Sequence, residues 1–136
     1  MLLSQSLMPA VLREGGCKVA SGEWVDPYSG RKYFRADELE VDHVVPLKEA
    51  HVSGGYAWPI NRKRMFAEEI DGGELVLVGR DRNKSKGSQD PGKGWVPTDD
   101  KLMCAYLDRW VSIKRKWSPA MDPYEATMIR VLLKRC

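Results

Sequence analysis

Leu102, Tyr106, Trp110, Ile113 and Trp117 follow one another at spacings of four, four, three and four, so a helix over Asp99–Trp117 carries five large apolar side chains on one stripe. Asp99 and Asp100 suit the positive N-terminal end of that helix, and Lys114, Arg115 and Lys116 suit its negative C-terminal end. A stripe of this size must be covered, and no other sizeable element is available to cover it. It therefore has to pack on the strand-forming middle of the chain, which makes the fold α+β. A second helix follows, with Asp122 as N-cap, Pro123 at the first helical position and Glu125 completing a capping-box-like pattern.

Leu75-Val-Leu-Val78, behind the Gly72-Gly73 turn, reads as a buried strand. Leu39–Pro46 holds the β-branched Val41, Val44 and Val45 and ends at a proline, so it reads as another short strand. Between them the chain is irregular from Lys48 and then helical around Asn61–Glu69, with Arg62, Lys63 and Arg64 on that helix. Upstream, the strand-like Cys17–Ser21 and Trp24-Val25 lead through Asp26-Pro-Tyr-Ser-Gly30 into Lys32-Tyr-Phe34. Proline at the second turn position and glycine closing the turn give a hairpin signal. A short helix is expected in Ser4–Leu12 and another in the first part of the polar, glycine-rich Arg80–Gly94.

With 136 residues, 43% apolar and 30% charged, the chain has the length and composition of one globular domain, residues 1–136. No apolar run approaches the ~18 residues of a membrane span. Met1–Met8 shows neither a basic n-region nor a small-residue cleavage site, so no signal peptide is visible. The net charge of +3 is mild and names no partner. His43 and His51 are the only histidines, which excludes a three-histidine zinc site. Cys17, Cys104 and Cys136 lack the paired spacing of a structural zinc site. They read as small buried or terminal thiols, or as one disulfide with an odd cysteine left over if the protein is exported.

Chemistry concentrates in two segments. Glu40-Val-Asp-His-Val-Val-Pro-Leu47 sets a carboxylate beside an imidazole at the end of a strand. Neighbouring strand side chains point to opposite faces, so Asp42 and His43 address one site only where the strand breaks, and Pro46 marks a break nearby. Gly79-Arg-Asp-Arg-Asn-Lys-Ser-Lys-Gly87 offers the amide of Asn83 flanked by Arg80, Arg82, Lys84 and Lys86. Singly, the first reads as surface polar residues or a structural histidine, and the second as a solvated basic turn.

Together they resemble the ββα-metal finger of HNH endonucleases: a strand with Asp-His, a connection, a strand, then Asn-x-x-Lys-Gly opening a short helix. Further motifs match in order. They are Cys17-Lys-Val-Ala-Ser-Gly-Glu-Trp24, Asp26-Pro-Tyr-Ser-Gly30, Ser53-Gly-Gly-Tyr-Ala-Trp58, Asp90-Pro91, Trp95-Val-Pro97 and Cys104-Ala-Tyr106 with Arg109-Trp-Val-Ser-Ile-Lys114. The chain is thus similar, from about Leu12 to Cys136, to the bacterial branch of that family with the Asp-His-Val-Val-Pro-Leu and Asn-x-Ser-Lys-Gly signatures. Family members often run further at the N-terminus, with an export signal and another cysteine that this sequence does not show.

The resemblance implies a finger over about residues 38–90, flanked by the hairpin and by helices over about 99–134. It implies a metal-dependent endonuclease acting on DNA, with RNA left open, that leaves 5′-phosphate and 3′-hydroxyl ends. His43 matches the general base, and Asp42 and Asn83 match the ligands of one Mg²⁺ or Mn²⁺ ion. Where relatives place His or Asn before the second strand, this sequence has Glu74, as a brace for the finger loop or an added ligand; Asp71 is a second candidate for that ligand. The expected nucleic-acid contacts are Arg62, Lys63, Arg64, Arg82, Lys84 and Lys114. Lys86, three residues after Asn83, is expected on the ligand's face of its helix, as a catalytic residue in an open positive groove shared with His43 and Arg109. Arg109 lies about 20° from Leu102 at the edge of the apolar stripe, as a core-edge arginine or as a catalytic phosphate clamp. Two rival readings stand beside this one: a binding module of the same fold without catalysis, and a metal-independent ribonuclease using His43 and His51.

Overall fold

The computed structural model describes residues 1–117 and 120–136. It is α+β, as the helical stripe and the strand signals require. The chain opens with α1 (Leu2–Gln5) and the two-residue β1 (Val11–Leu12), where the sequence suggested one helix over Ser4–Leu12. The helix stops at Gln5, and Val11 and Leu12 satisfy their backbone groups instead by pairing with β2 (Val19–Val25). β2 turns through Asp26–Gly30 into β3 (Lys32–Arg35), giving an antiparallel sheet of order β1-β2-β3. The turn closes with Gly30 N–H donating to the Asp26 carbonyl at 2.8 Å, and Gly30 takes φ +70°, where a β-carbon would be strained.

β4 (Leu39–His43) and β5 (Leu75–Gly79) form a second, two-stranded antiparallel sheet with unbroken register from Leu39↔Gly79 to His43↔Leu75. Between them run α2 (Leu47–Val52), a 3₁₀ turn at Gly55–Ala57 and α3 (Ile60–Ala67), so the stretch after Pro46 is helical rather than irregular. α4 (Arg80–Lys86) leaves β5 directly and packs across both strands, completing a ββα unit. Cross-strand partners share a face. One face carries Glu40, Asp42, Val76 and Val78 and looks into the main core; the other carries Leu39, Val41, His43, Leu75 and Leu77. Leu39 and Leu77 meet Trp24 and Tyr33 of the three-stranded sheet in a second, smaller core.

α5 (Asp100–Trp117) covers the main core with Met103, Tyr106, Leu107, Trp110, Ile113 and Trp117, packed against Val44, Val45, Phe66, Val76 and Val78. α6 (Pro123–Leu133) closes it through Ile129. The Asp122 carboxylate accepts from Glu125 N–H at 2.9 Å, which is half of a capping box. The other half is missing because the Glu125 side chain turns inward to accept from Trp110 Nε1 at 2.6 Å. Cys104 and Cys136 form a disulfide that ties α5 to the C-terminus, and Cys17 is free and exposed. No described helix is long and apolar enough to cross a membrane.

Candidate functional site

The turn after β2 builds the site's interior. Asp26 is fully buried. Its Oδ1 accepts Tyr28 N–H at 2.7 Å, and its Oδ2 accepts Gly79 N–H at 3.2 Å, so the turn is pinned to the β5–α4 junction. A side chain at Gly79 would collide with the Tyr33 hydroxyl, which keeps this junction glycine. Held this way, the Tyr28 hydroxyl donates to Asp42 Oδ2 at 2.6 Å. From the other side Lys86 Nζ reaches Asp42 at 3.1 and 3.0 Å and donates to the His43 carbonyl at 2.8 Å. Burial draws the Lys86 ammonium below its ordinary pKa while Asp42 pushes it back. Burial, with Asp42 adding to it, pushes the Tyr28 hydroxyl well up.

Lys86 is 0% exposed, which corrects its expected place in an open positive groove: it lies on the face of Asp42 as expected, but its charge is paired there rather than open to solvent. Lys114 is a second correction. It is 2% exposed and holds Glu49 Oε1 at 3.0 Å, Glu125 at 3.4 Å and the Ala120 carbonyl at 2.9 Å, so it is a buried structural cation. Arg62 is a third: its guanidinium lies over both Trp58 and Trp117 at 5.1 and 5.0 Å and donates to the Trp117 carbonyl, which commits it to packing.

Because the β4 ladder is regular through His43, the imidazole leaves on the face opposite Asp42. His43 Nε2 lies 2.9 Å from the Ala67 carbonyl at the end of α3. A carbonyl only accepts, so Nε2 carries the proton, and Nδ1 of the neutral ring keeps its lone pair. Just beyond, Val44 N–H donates to the Glu74 carbonyl and Val45 N–H to Glu74 Oε2 at 3.2 Å, which clamps the segment that follows the histidine. Glu74 is completely buried and its Oε1 has no partner among the described residues. Burial raises its pKa to about 9 against the opposing pull of Val45 N–H and Lys86, so the group is a neutral acid at pH 7. Its Oε2 braces the segment after His43, the bracing role expected of it; Asp71 is exposed on the loop before β5.

Asn83 donates from Nδ2 to Glu40 Oε2 at 2.8 Å, on the α4 face of β4. Arg80 flanks the same carboxylate at 3.7 Å. Lys63, Arg64, Arg82 and Lys84 are exposed. Arg109 is exposed too, lies against Gly73, and lines a depression with Asp71 and Leu75, the cross-strand partner of His43. It makes no ion pair among the described residues. His51 stands on α2 with its ring edge-on to Tyr56 at 6.2 Å.

Where the implied Mg²⁺ or Mn²⁺ would be held by Asp42, an ammonium already sits against the carboxylate. Both Asp42 oxygens are taken by Tyr28 and Lys86, and the ammonium supplies the positive charge a cation would bring. Asn83 donates its amide N–H to Glu40, which leaves its Oδ1 without a partner among the described residues on the same face of β4.

Sequence reasoning missed three features: the hold of Tyr28 on Asp42, the Ala67 carbonyl behind His43, and the Trp58–Arg62–Trp117 sandwich. Asp26-Pro-Tyr-Ser-Gly30 carried the first signal, but it was legible only as a turn.

The chain is 30% identical over 123 residues to a protein of Arthroderma benhamiae described as an uncharacterized secreted protein. The match covers 90% of this chain and 60% of that relative's length. No solved structure matches. Residues 11–123 match the family of the C-terminal domain of GmrSD restriction endonucleases. With most of its length inside that match, the chain belongs to this nuclease-related family.

Proposed function

We propose that the chain is an endonuclease domain of the HNH type that hydrolyses phosphodiester bonds in DNA, with His43 as general base. The observation that carries this reading is the anchored imidazole at the end of β4. Its Nε2–H is committed to Ala67, so Nδ1 is the free base that takes a proton from an attacking water. A phosphodiester also requires charge neutralisation, and the exposed Lys63, Arg64, Arg82 and Lys84 give the strand a cationic surface. Arg109 beside Leu75 is the residue we assign to a phosphate oxygen, through its planar fork of donors.

The base and the divalent requirement are read from the same cleavage assay. Plasmid is incubated with the protein in Mg²⁺, in Mn²⁺ and in chelator, beside His43→Ala and Arg109→Ala. Cleavage lost in folded His43→Ala supports the assignment, as does a turnover reduced by about 10²-fold at saturating DNA in Arg109→Ala. Cleavage that survives His43→Ala refutes the base. An absolute divalent requirement would mean that Lys86 leaves Asp42 in the working state.

A second reading, a nucleic-acid-binding module of the same fold, draws on the Asp42–Lys86 pair, which sets an ammonium against the carboxylate expected to hold a cation. Salt-sensitive DNA binding without cleavage in any of the three conditions would select it.

A further inference from the structure

Next to the His43 anchor lies a groove of about 460 Å³ between α2, the Gly55–Ala57 turn and α3. Its interior is apolar, formed by Leu47, Trp58 and Phe66 with Ile60 at the mouth. Ile60 is 78% exposed and Leu47 46%, an unusual cost for two aliphatic side chains flanking one hollow. On α3, Ile60, Lys63, Arg64 and Ala67 fall at helical spacing on the groove side, while Arg62 turns away into its tryptophan sandwich. The lining includes Lys63, Arg64 and His51 and no carboxylate. Ala67 belongs to both features: it lines the groove, and its carbonyl takes the His43 imidazole.

We propose that this groove is a nucleobase pocket: an unpaired base of the substrate strand lies against Leu47, Trp58 and Ile60, with its flanking phosphates on Lys63 and Arg64. The inference rests on the nucleic-acid reading above and narrows its substrate to single-stranded or locally opened DNA. The occupant is argued from charge and shape. An apolar hollow desolvates a phosphate at a loss, and the stacked interior of a duplex offers it no exposed base face. An apolar peptide would leave the two rim cations without counter-charges. An unpaired base is flat and apolar on its faces and carries an anion on each side, which matches an apolar interior under a cation-only rim. A strand anchored there passes the α3 end that holds His43.

The test is fluorescence anisotropy with labelled oligothymidylate, its duplex with oligoadenylate, and the same strand carrying an abasic position, on His43→Ala protein in chelator so that no cleavage intervenes. The single strand should bind more tightly than the duplex. Leu47→Ala and Ile60→Ala, both at exposed positions, should weaken the strand about fivefold or more and leave the duplex unchanged. Lys63→Ala with Arg64→Ala should weaken both and flatten the salt dependence. Equal affinity for strand and duplex, or strand binding unaffected in the two aliphatic variants while melting shows them folded, overturns the pocket. Hydrolysis by the wild-type chain is measured in parallel. Groove-dependent strand binding without any hydrolysis overturns the endonuclease reading and supports the pocket; hydrolysis with groove-insensitive binding does the reverse.

Discussion

Glu74→Gln isolates the most heavily perturbed acid in the molecule. The Glu74 carboxyl is fully buried, with a pKa raised from 4.5 to about 9. A folded-state value above the unfolded one means that the native state holds a proton the unfolded chain releases. Stability is therefore complete below about pH 4.5 and falls as the pH climbs toward 9. At pH 7 the gap between pH and the unfolded value corresponds to about 3 kcal/mol, from ~1.4 kcal/mol per unit. Glutamine stays neutral at every pH and can accept Val45 N–H as the glutamate does, so it removes this dependence. The protonated acid already carries an unpartnered donor at Oε1, and the amide replaces it with another. The diagnostic is consequently the slope. The stability difference between variant and wild type should grow in the variant's favour by about 1.4 kcal/mol per pH unit between pH 5.5 and 8.5. Urea unfolding followed by tryptophan fluorescence at four pH values across that range measures it. Parallel stability curves would show that Glu74 is ionised in the native state and refute the reasoning.

Lys86→Met should cost about 3–5 kcal/mol, because it leaves the Asp42 carboxylate buried without its cation; adding Asp42→Asn should recover much of that loss, and denaturant midpoints of the single and double variants decide it. Lys114→Met should lower the melting temperature by stranding Glu49 and Glu125 while leaving the salt slope of DNA binding unchanged, since the lysine is not at the surface. Cys136→Ser should reduce stability by about 3–4 kcal/mol, the chain-entropy value for a separation of 32 residues, and the wild type under reductant should match it in calorimetry.

The sequence alone determined the elements with strong local signals. The apolar stripe of α5 recurs every helical turn, Asp122-Pro123 carries its own N-cap, and Leu75–Val78 has no polar residue to expose. The proline-glycine turn before β3 and the ββα order were legible for the same reason, because each depends on neighbours in the chain. Cation roles were not. Lys86, Lys114 and Arg62 carry the same charges as Lys84, Lys63 and Arg64, and only packing decides which of them meets a carboxylate, an indole or water. Lys114 stands one residue after Ile113 of the stripe, yet Glu49 and Glu125 reach it from elements 65 and 11 residues away. The same limit applied to Asp42 and His43. The sequence let them share a site only where the strand breaks, and the β4–β5 register, fixed by partners beyond α2 and α3, runs unbroken through His43 and sends them to opposite faces. A side chain's chemistry is written locally, but its protonation, its partners and its access to solvent depend on groups distant in sequence, which only the tertiary structure brings within reach.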